Sequence, residues 1–233
     1  RGISLSRFQW VDDTAALAEL DGVDVIVELI GGSDGPALVL ARKTIANGRA
    51  FVTANKAMIA HHGLELAEAA ERANVALKYE AAVAGGIPVI KGLREGAAAN
   101  EISGVFGILN GTCNYILSTM ESAGRDFADV LSEAQALGYA ESDPSFDIDG
   151  VDAAHKVTLM SAIAFGVPVQ FDKAHVEGIT KLQATDIQYA EQLGYRIKLL
   201  GITKRTDKGI ELRVHPTLIP AKRLIANDEG AMN

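Results

Sequence analysis

The sequence predicts an α/β protein in which part of a doubly wound parallel sheet precedes a second domain of α+β structure. The first observation is an alternation of apolar strand patterns and amphipathic helix patterns over residues 23–83. The second is a change near residue 84, after which a Gly-Gly-Ile-Pro turn is followed by helix patterns and alternating strand patterns. Strand, helix, strand, helix, strand at this spacing is typical of right-handed βαβ winding. The boundary between the two domains is predicted between residues 82 and 83.

The first domain is predicted from five consecutive segments. VDVIVELIGG at 23–32 is continuously apolar, which favours a strand buried on both faces of a parallel sheet. The segment at 33–48 has a capping residue, a proline in its first turn and a glycine at its end, as helices do. AFVTANK at 50–56 predicts a strand with its exit loop, 62–74 an Ala-rich helix, and 75–83 a third strand.

The second domain is predicted to mix helices with antiparallel strands. EISGVFGIL at 101–109 alternates in polarity, which is typical of a half-buried strand. IELRVHPTLI at 210–219 is a second strand pattern, preceded by the turn TDKG. Helices are predicted at about 88–99, at 126–138 with Gly138 as its end, and at about 151–165.

Composition excludes several classes of function. The formal net charge is −8 and the 22 basic residues are scattered, so the chain is a poor candidate for binding nucleic acid or an anionic membrane surface. The longest apolar run, at about 157–169, is too short to span a bilayer. Cys113 is the single cysteine, which suits a reducing compartment. We therefore expect a cytoplasmic protein.

The carboxyl ends of the predicted parallel strands are the expected ligand sites, because ligands bind such sheets beyond those ends. Gly31–Gly32 and Asn55–Lys56 lie there. The glycine motif G-x-G-x-x-G, which binds dinucleotide phosphates, does not occur in the sequence, and the first residues, RGISLSRFQW, contain no methionine and no signal-peptide pattern. We expect a fragment that begins after the glycine motif and does not bind cofactor detectably by itself.

The stretch YAESDPSFDIDGVDAAHK at 139–156 has three interpretations. As a calcium loop, its register begins at Ser145 and requires a bidentate glutamate at the last ligand position. Lys156 occupies that position, which argues against calcium. As a structural feature, Asp152 and Lys156 are a surface ion pair four residues apart, worth roughly 0.3–0.5 kcal/mol. Their helix is apolar on nearly every side, however, so the lysine is expected to need a partner or a function.

The third interpretation is catalytic. A lysine ammonium can donate a proton to a carbonyl oxygen while hydride reaches the carbon, and a carboxylate one helical turn earlier would orient it. Glu141 could accept a hydrogen bond from a polar substrate, whereas Asp143, Asp147 and Asp149 are predicted to be turn and capping residues.

Three further positions allow a functional and a structural interpretation. Lys56 is either solvated or directed at the ligand crevice of the sheet. Glu80, with the carbonyls of the Gly-Gly turn that follows it, either binds a hard cation or belongs to a tight turn between domains. Cys113 is either a nucleophile at a helix start or a small buried side chain.

Four segments together resemble homoserine dehydrogenase of the monofunctional type. They cover nearly the whole chain in order and are VTANKAMIAHHGLEL (52–66), YEAAVAGGIPVIKGLREG (79–96), GILNGTCNYILSTM (107–120) and LGYAESDPSFDIDGVDAAHKVTLMSAIAFG (137–166). The last segment is the most specific of the four.

The resemblance implies interconversion of L-aspartate 4-semialdehyde and L-homoserine with NADP or NAD. In that family pattern, Lys156 matches the proton donor, and Asp152 and Glu141 match the substrate-binding carboxylates. Lys56 matches the lysine at the junction of cofactor and substrate, and Gly138 matches a glycine that contacts the cofactor.

The resemblance also implies a domain plan, a metal site and an oligomeric state. Residues 1–82 would be the C-terminal part of a Rossmann-like nucleotide-binding domain, and residues 83–233 a substrate-binding, catalytic and dimerisation domain. Gly31 is a predicted cofactor-binding position because it lies at the end of the first predicted strand. Family members are commonly homodimers. A sodium site would comprise four residues, namely Glu80 and the main chain of Val83, Gly85 and Ile87.

Two alternatives remain at this stage. An acylating aldehyde dehydrogenase also pairs a nucleotide-binding sheet with a substrate domain and would require Cys113 as its nucleophile. A non-catalytic binding domain is the second alternative.

Overall fold

The protein, described by a computed structural model for residue 4 and residues 6–231, divides into two compact units, Arg1–Pro88 and Val89–Asn233. The first unit contains a three-stranded parallel sheet with helices, and the second contains a four-stranded mixed sheet with helices. The predicted α/β class is thereby confirmed. The division between Pro88 and Val89 assigns the turn at Glu80–Ala82 and the loop after it to the first unit.

The strands of the first unit lie in the order β1-β2-β3 and are all parallel. A 3₁₀ helix, Thr14–Glu19, precedes them. The elements are β1 (Val25–Glu28), α1 (Pro36–Ala46), β2 (Ala50–Thr53), α2 (Lys56–Ala73) and β3 (Leu77–Lys78).

Two predicted elements of this unit differ from the structure. Helix α2 begins at Lys56, earlier than predicted, because the side-chain oxygen of Asn55 accepts a hydrogen bond from the Met58 N–H at 3.0 Å and caps the helix there. The predicted strand at 75–83 is longer than the observed one. Strand β3 covers only Leu77–Lys78, and the 3₁₀ turn Glu80–Ala82 follows it.

Burial on β1 is also one-sided rather than two-sided. Ile26 and Glu28 are buried, whereas Val25 and Val27 are 49% and 62% exposed. The prediction of a strand buried on both faces was therefore wrong within the described residues. Fully buried side chains of β2 and of both helices make up the core of the unit, namely Leu40, Ile45, Phe51, Met58 and Leu66.

The second unit contains four strands and several helices, most of which lie before the two long strands. The strands are β4 (Gly104–Ile108), β5 (His175–Val176), β6 (Tyr195–Thr206) and β7 (Gly209–Pro220). The helices are α3 (Val89–Lys91) with a π-helical continuation (Gly92–Gly96), α4 (Gly111–Ala123), α5 (Phe127–Ala136), α6 (Ser145–Ile148), α7 (Val151–Phe165) and α8 (Ala184–Gln192). Short 3₁₀ helices lie at Phe171–Lys173 and Leu224–Asn227.

The sheet of the second unit has the order β4-β6-β7-β5. Strands β6 and β7 form an antiparallel hairpin closed at Thr206↔Gly209, and β4 pairs antiparallel with β6 at Ile108↔Leu200. The antiparallel pairing of β4 and the bounds of α7 agree with the sequence pattern. Strand β6 and helix α8 were not predicted.

Helix α7 packs against β6 through a close approach at Gly201. A Cβ at this position would lie 2.5 Å from Leu109 Cδ1 and 3.1 Å from Val157 Cβ, so only glycine fits without displacing them. The Ser161 and Thr203 hydroxyl groups form a buried hydrogen bond of 2.8 Å between the same two elements. This packing brings the end of β4 to the first turns of α7.

Lys198 of β6 is a buried lysine, 1% exposed, that joins the sheet to α4 and to the C-terminal segment. Its Nζ donates to Asn114 Oδ1 at 3.1 Å, to Ser118 Oγ at 3.1 Å and to the Asp228 carbonyl at 2.5 Å. Burial lowers the pKa of the Lys198 ammonium, because desolvation disfavours the charged form. The three acceptors compensate that cost in part.

Replacing Lys198 with methionine is expected to lower the free energy of unfolding by about 2–4 kcal/mol, because one buried and two partly buried acceptors lose their donor. Urea denaturation followed by circular dichroism measures the change. The matched control is Lys204→Met on the same strand, where the side chain is 49% exposed and pairs with Glu211 at 3.6 Å. The control should change stability by less than about 0.5 kcal/mol. Equal stability of the two variants would contradict the assigned role of Lys198.

Candidate active site

An ion pair between Asp152 and Lys156 lies on the first two turns of α7. Gly150, with φ of 85°, precedes the helix in a left-handed conformation that favours glycine. Lys156 Nζ lies 2.8 Å from Asp152 Oδ2, and the side chains are 21% and 6% exposed. The pair is therefore largely buried, unlike the solvated surface pair that one interpretation of the sequence predicted.

The segment Leu109–Asn110, which follows β4, contacts both members of the pair. The Leu109 carbonyl accepts a hydrogen bond from Lys156 Nζ at 2.7 Å. Asn110 Nδ2 donates to Asp152 Oδ2 at 2.8 Å. Asn110 Nδ2 also donates to Asp147 Oδ1 at 2.7 Å, so Asp147 is more than the turn residue that was predicted.

Asn110 has a second function at the start of α4. Its Oδ1 accepts a hydrogen bond from the Cys113 N–H at 2.8 Å and caps the helix. The residue is only 5% exposed, and its amide uses both donors and its oxygen. Sequence reasoning did not single out Asn110, because an asparagine before a helix is explained by capping alone.

Cys113 is a poor nucleophile in this structure. The side chain is fully buried, and its Sγ donates to the Asp147 carbonyl at 3.2 Å. Burial, followed by the negative charges of Asp147 and Asp152, raises the pKa of the Cys113 thiol far above its usual range. The thiolate that an acylating dehydrogenase requires is thus disfavoured at neutral pH.

The loop after α5 contains Gly138 and Glu141. Gly138 has φ of 78°, and the Tyr139 N–H donates to the Ala134 carbonyl at 2.8 Å, which closes the end of the helix. The end of α5 therefore favours glycine at position 138 independently of any cofactor. Glu141 is exposed, and its main-chain carbonyl accepts a hydrogen bond from Gln135 Nε2 at 3.0 Å. Asp143, as predicted, has a turn function, because its Oδ1 accepts from Ser145 Oγ at 2.6 Å.

The first unit places a buried carboxylate at the carboxyl end of β1. Glu28 is 1% exposed, and its Oε1 accepts from the Ile30 N–H at 2.5 Å and from the Gly31 N–H at 3.0 Å. Its Oε2 accepts from the Thr53 hydroxyl at 2.5 Å. The N–H of Gly31, a residue predicted to bind cofactor, therefore already has a hydrogen-bond acceptor within the protein. The sequence analysis did not identify Glu28 as a site residue, because the segment at 23–32 was interpreted only as an apolar strand.

Asn55 connects the two loops that follow β1 and β2. Its Nδ2 donates to the Gly32 carbonyl at 2.7 Å, and its N–H donates to Thr53 Oγ1 at 2.9 Å. Lys56 is the next residue and the first of α2, and its side chain is partly buried. The structure thus brings the predicted positions Gly31–Gly32 and Asn55–Lys56 to one edge of the parallel sheet.

The residues of the predicted cation site lie in the 3₁₀ turn Glu80–Ala82 and the loop that follows it, at the end of the first unit. Glu80 opens the 3₁₀ turn, and Ala84 has φ of 49°, unusual for a residue other than glycine. The Ala84 carbonyl accepts from the Ile87 N–H at 2.8 Å. Residues 4 and 6–231 contain no cluster of three or more His, Cys, Asp or Glu side chains able to hold a metal ion. A site made from Glu80 and the carbonyls of Val83, Gly85 and Ile87 stays a prediction.

Within the described part of the chain, no helix has both the length and the apolarity that crossing a membrane requires.

Comparison with known proteins gives matches along almost the whole chain. Residues 88–233 match the family model described as homoserine dehydrogenase, and residues 4–80 match the model described as the NAD-binding domain of homoserine dehydrogenase. The homoserine dehydrogenase of Pseudomonas aeruginosa is 61% identical over 211 residues, which are 91% of this chain and 48% of the relative. The chain spans about half the length of the curated relatives it matches.

Two solved structures extend the comparison to the fold. A homoserine dehydrogenase from Thiobacillus denitrificans superposes with a TM-score of 0.89 at 58% identity, covering 93% of this chain and 49% of that one. A hyperthermophilic archaeal homoserine dehydrogenase in complex with NADPH superposes with a TM-score of 0.78 at 26% identity, covering 93% of this chain and 62% of that one.

The Cys113 thiol is expected to resist alkylation in the folded chain, because it is buried and stays protonated at pH 8. Iodoacetamide labelling followed by mass spectrometry should be at least about 100-fold slower than in the same chain unfolded in urea. The unfolded chain is the internal control, since it contains the same single cysteine. Comparable labelling rates in the two states would show that the thiol is accessible and reactive.

Proposed function

This chain belongs to the homoserine dehydrogenase family, and on that basis we propose that the protein at its natural full length interconverts L-aspartate 4-semialdehyde and L-homoserine. The observation that supports this most strongly is the largely buried ammonium group of Lys156, held at fixed distances by Asp152 and the Leu109 carbonyl. Carbonyl reduction needs a proton donor placed in this way.

The proposed chemistry assigns the proton to Lys156. An ammonium has three N–H donors, and within the described residues two of them have acceptors, Asp152 Oδ2 and the Leu109 carbonyl. The third donates to the substrate carbonyl oxygen and transfers its proton as that oxygen becomes the hydroxyl of homoserine. The Asp152 carboxylate accepts a hydrogen bond from the ammonium and orients it. In the oxidation direction, the neutral amine takes the proton back.

A nicotinamide dinucleotide, NADP or NAD, supplies or accepts the hydride when bound. The match of residues 4–80 to an NAD-binding domain and the NADPH complex of a structural relative support this part of the proposal. The carboxyl ends of β1 and β2 fit such a ligand, because Gly31 and Gly32 present no side chain there. We assign Gly31, Lys56 and Gly138 to the cofactor, with Lys56 also facing the substrate.

Substrate binding is assigned to Glu141 and Asp152. The exposed Glu141 carboxylate is a charge match for the α-ammonium group of homoserine or the semialdehyde. We further propose a homodimer located in the cytoplasm, and a sodium ion bound by Glu80 with the main chain of Val83, Gly85 and Ile87. These assignments rest on the family pattern. The buried thiol of Cys113 argues against the acylating alternative.

Lys156→Ala in the protein at natural full length is expected to reduce kcat for homoserine oxidation by roughly 10²- to 10⁴-fold, because the proton-transfer group is lost. Steady-state assays with NADP and NAD measure the change, and circular dichroism verifies folding. The matched control is Lys208→Ala, which removes an exposed lysine from the β6–β7 turn and should leave kcat within about twofold. A folded Lys156→Ala enzyme with near-normal kcat would refute the assignment.

Glu141→Gln is expected to raise KM for homoserine by roughly 10- to 100-fold with a small effect on kcat, because one charged hydrogen bond to the substrate ammonium is lost. The same neutralisation at exposed Glu101, Glu101→Gln, is the control and should leave KM unchanged. An unchanged KM in Glu141→Gln would show that the substrate ammonium binds elsewhere.

A further inference from the structure

The Asn110 side chain forms hydrogen bonds with three helices of the second unit, including α7, which contains the candidate active-site pair. Its amide nitrogen bonds Asp152 of α7 at 2.8 Å and Asp147 of α6 at 2.7 Å. Its amide oxygen caps α4 at the Cys113 N–H at 2.8 Å. The preceding carbonyl, that of Leu109, bonds Lys156 at 2.7 Å. One dipeptide therefore contacts both members of the buried ion pair.

The geometry gives the Asn110 amide an electrostatic function as well as a capping one. Two carboxylate oxygens lie within hydrogen-bond distance of the same nitrogen, and like charges that close repel one another. A neutral donor between them offsets that repulsion without adding charge. The same bond fixes Asp152 Oδ2, the atom that holds Lys156.

We propose that Asn110 is a positioning residue for the proton transfer: it fixes Asp152, and through Asp152 it fixes the Lys156 ammonium. This inference rests on the proposed function. The charged and titratable groups that bond Asn110 or its partners are Asp152 and Lys156 from α7, Asp147 from α6, and the Cys113 thiol from α4. Asp149, which follows α6, also acts electrostatically on that thiol. A cap alone would require only the amide oxygen, whereas positioning requires the amide nitrogen.

Two substitutions separate these functions. Asn110→Asp retains an oxygen that can cap α4 but replaces the donor nitrogen with a third anionic oxygen beside Asp147 and Asp152. Asn110→Ser retains a good cap residue without adding charge, but its short side chain cannot bond both carboxylates. If Asn110 were only a cap, both variants would behave like the wild type.

In the protein at natural full length, both variants should lose kcat roughly 10- to 100-fold, because Asp152 and Lys156 lose their fixed geometry. Any rise in KM should be smaller than the loss of kcat, since Glu141 still binds the substrate. In Asn110→Asp, the rising, acid-side limb of the kcat pH profile for homoserine oxidation should also move to higher pH by about one unit, because the neutral amine is the active form and the added negative charge holds the lysine proton more tightly. Asn110→Ser should not move that limb. Homoserine oxidation by the wild type, measured over pH 7 to 11 (a range that includes the ordinary lysine pKa of about 10.4), is the reference.

A second readout does not depend on activity. The new carboxylate of Asn110→Asp, surrounded by two others, should ionise at a higher pH in the folded than in the unfolded state. The new carboxylate therefore destabilises the folded state least at low pH, where it is protonated. The deficit in Tm relative to the wild type should widen as pH rises from about 5 to about 8. The Tm deficit of Asn110→Ser should stay constant over that range.

Each outcome is decisive. Unchanged kcat in both variants of an active wild type overturns the inference and leaves the proposed function intact. A Tm deficit of Asn110→Asp that does not vary with pH shows that the amide does not separate two charged carboxylates, and it also overturns the inference. Absence of homoserine oxidation by the wild type overturns the proposed function, and with it the positioning role.

Discussion

The hydrogen-bonded contact of the Lys156 ammonium with the Asp152 carboxylate is the interaction on which the second unit depends. Burying two charges is costly unless each finds good partners, and removing one partner leaves the other unpaired. The structure supplies those partners from a single segment, Leu109–Asn110, at the end of β4. Gly201 allows this segment and α7 to approach β6 closely enough for the contacts to form. A packing constraint in the sheet therefore sets the geometry of a polar site.

The first unit uses the same arrangement at the end of its parallel strands. Glu28, Thr53 and Asn55 form a buried network that ties the loop after β1 to the loop after β2. Asn55, just after β2, donates to the Gly32 carbonyl in the loop after β1, which rigidifies the edge where ligands bind parallel sheets. Asn110, just after β4, instead bonds the side chains of Asp147 and Asp152. Gly31 and Gly32 adopt positive φ in the loop after β1, a conformation that favours glycine before any ligand is considered.

Local patterns predicted much of this structure. The α/β class, the bounds of α7 and the pairing of Asp152 with Lys156 follow from periodicity and from a four-residue spacing. Strand β6 was missed because its apolar alternation breaks at Leu199–Leu200, where burial is continuous rather than alternating. Asn110 and Glu28 were missed for a different reason: their partners lie 37 and 42 residues away for Asn110 and 25 residues away for Glu28, and no local pattern reports such contacts. Long-range hydrogen bonds assemble the site, and these require the fold.

Chemical rescue of the Lys156→Ala enzyme tests the central claim, that the Lys156 ammonium delivers the proton, most directly. Small primary amines would be added to the folded variant during turnover at natural full length, with tetramethylammonium as the control cation that has no N–H donor. The account predicts that kcat rises with amine concentration, that the rise requires the protonated amine in the reduction direction, and that tetramethylammonium has no effect. No rescue by any primary amine, or equal rescue by tetramethylammonium, would contradict it.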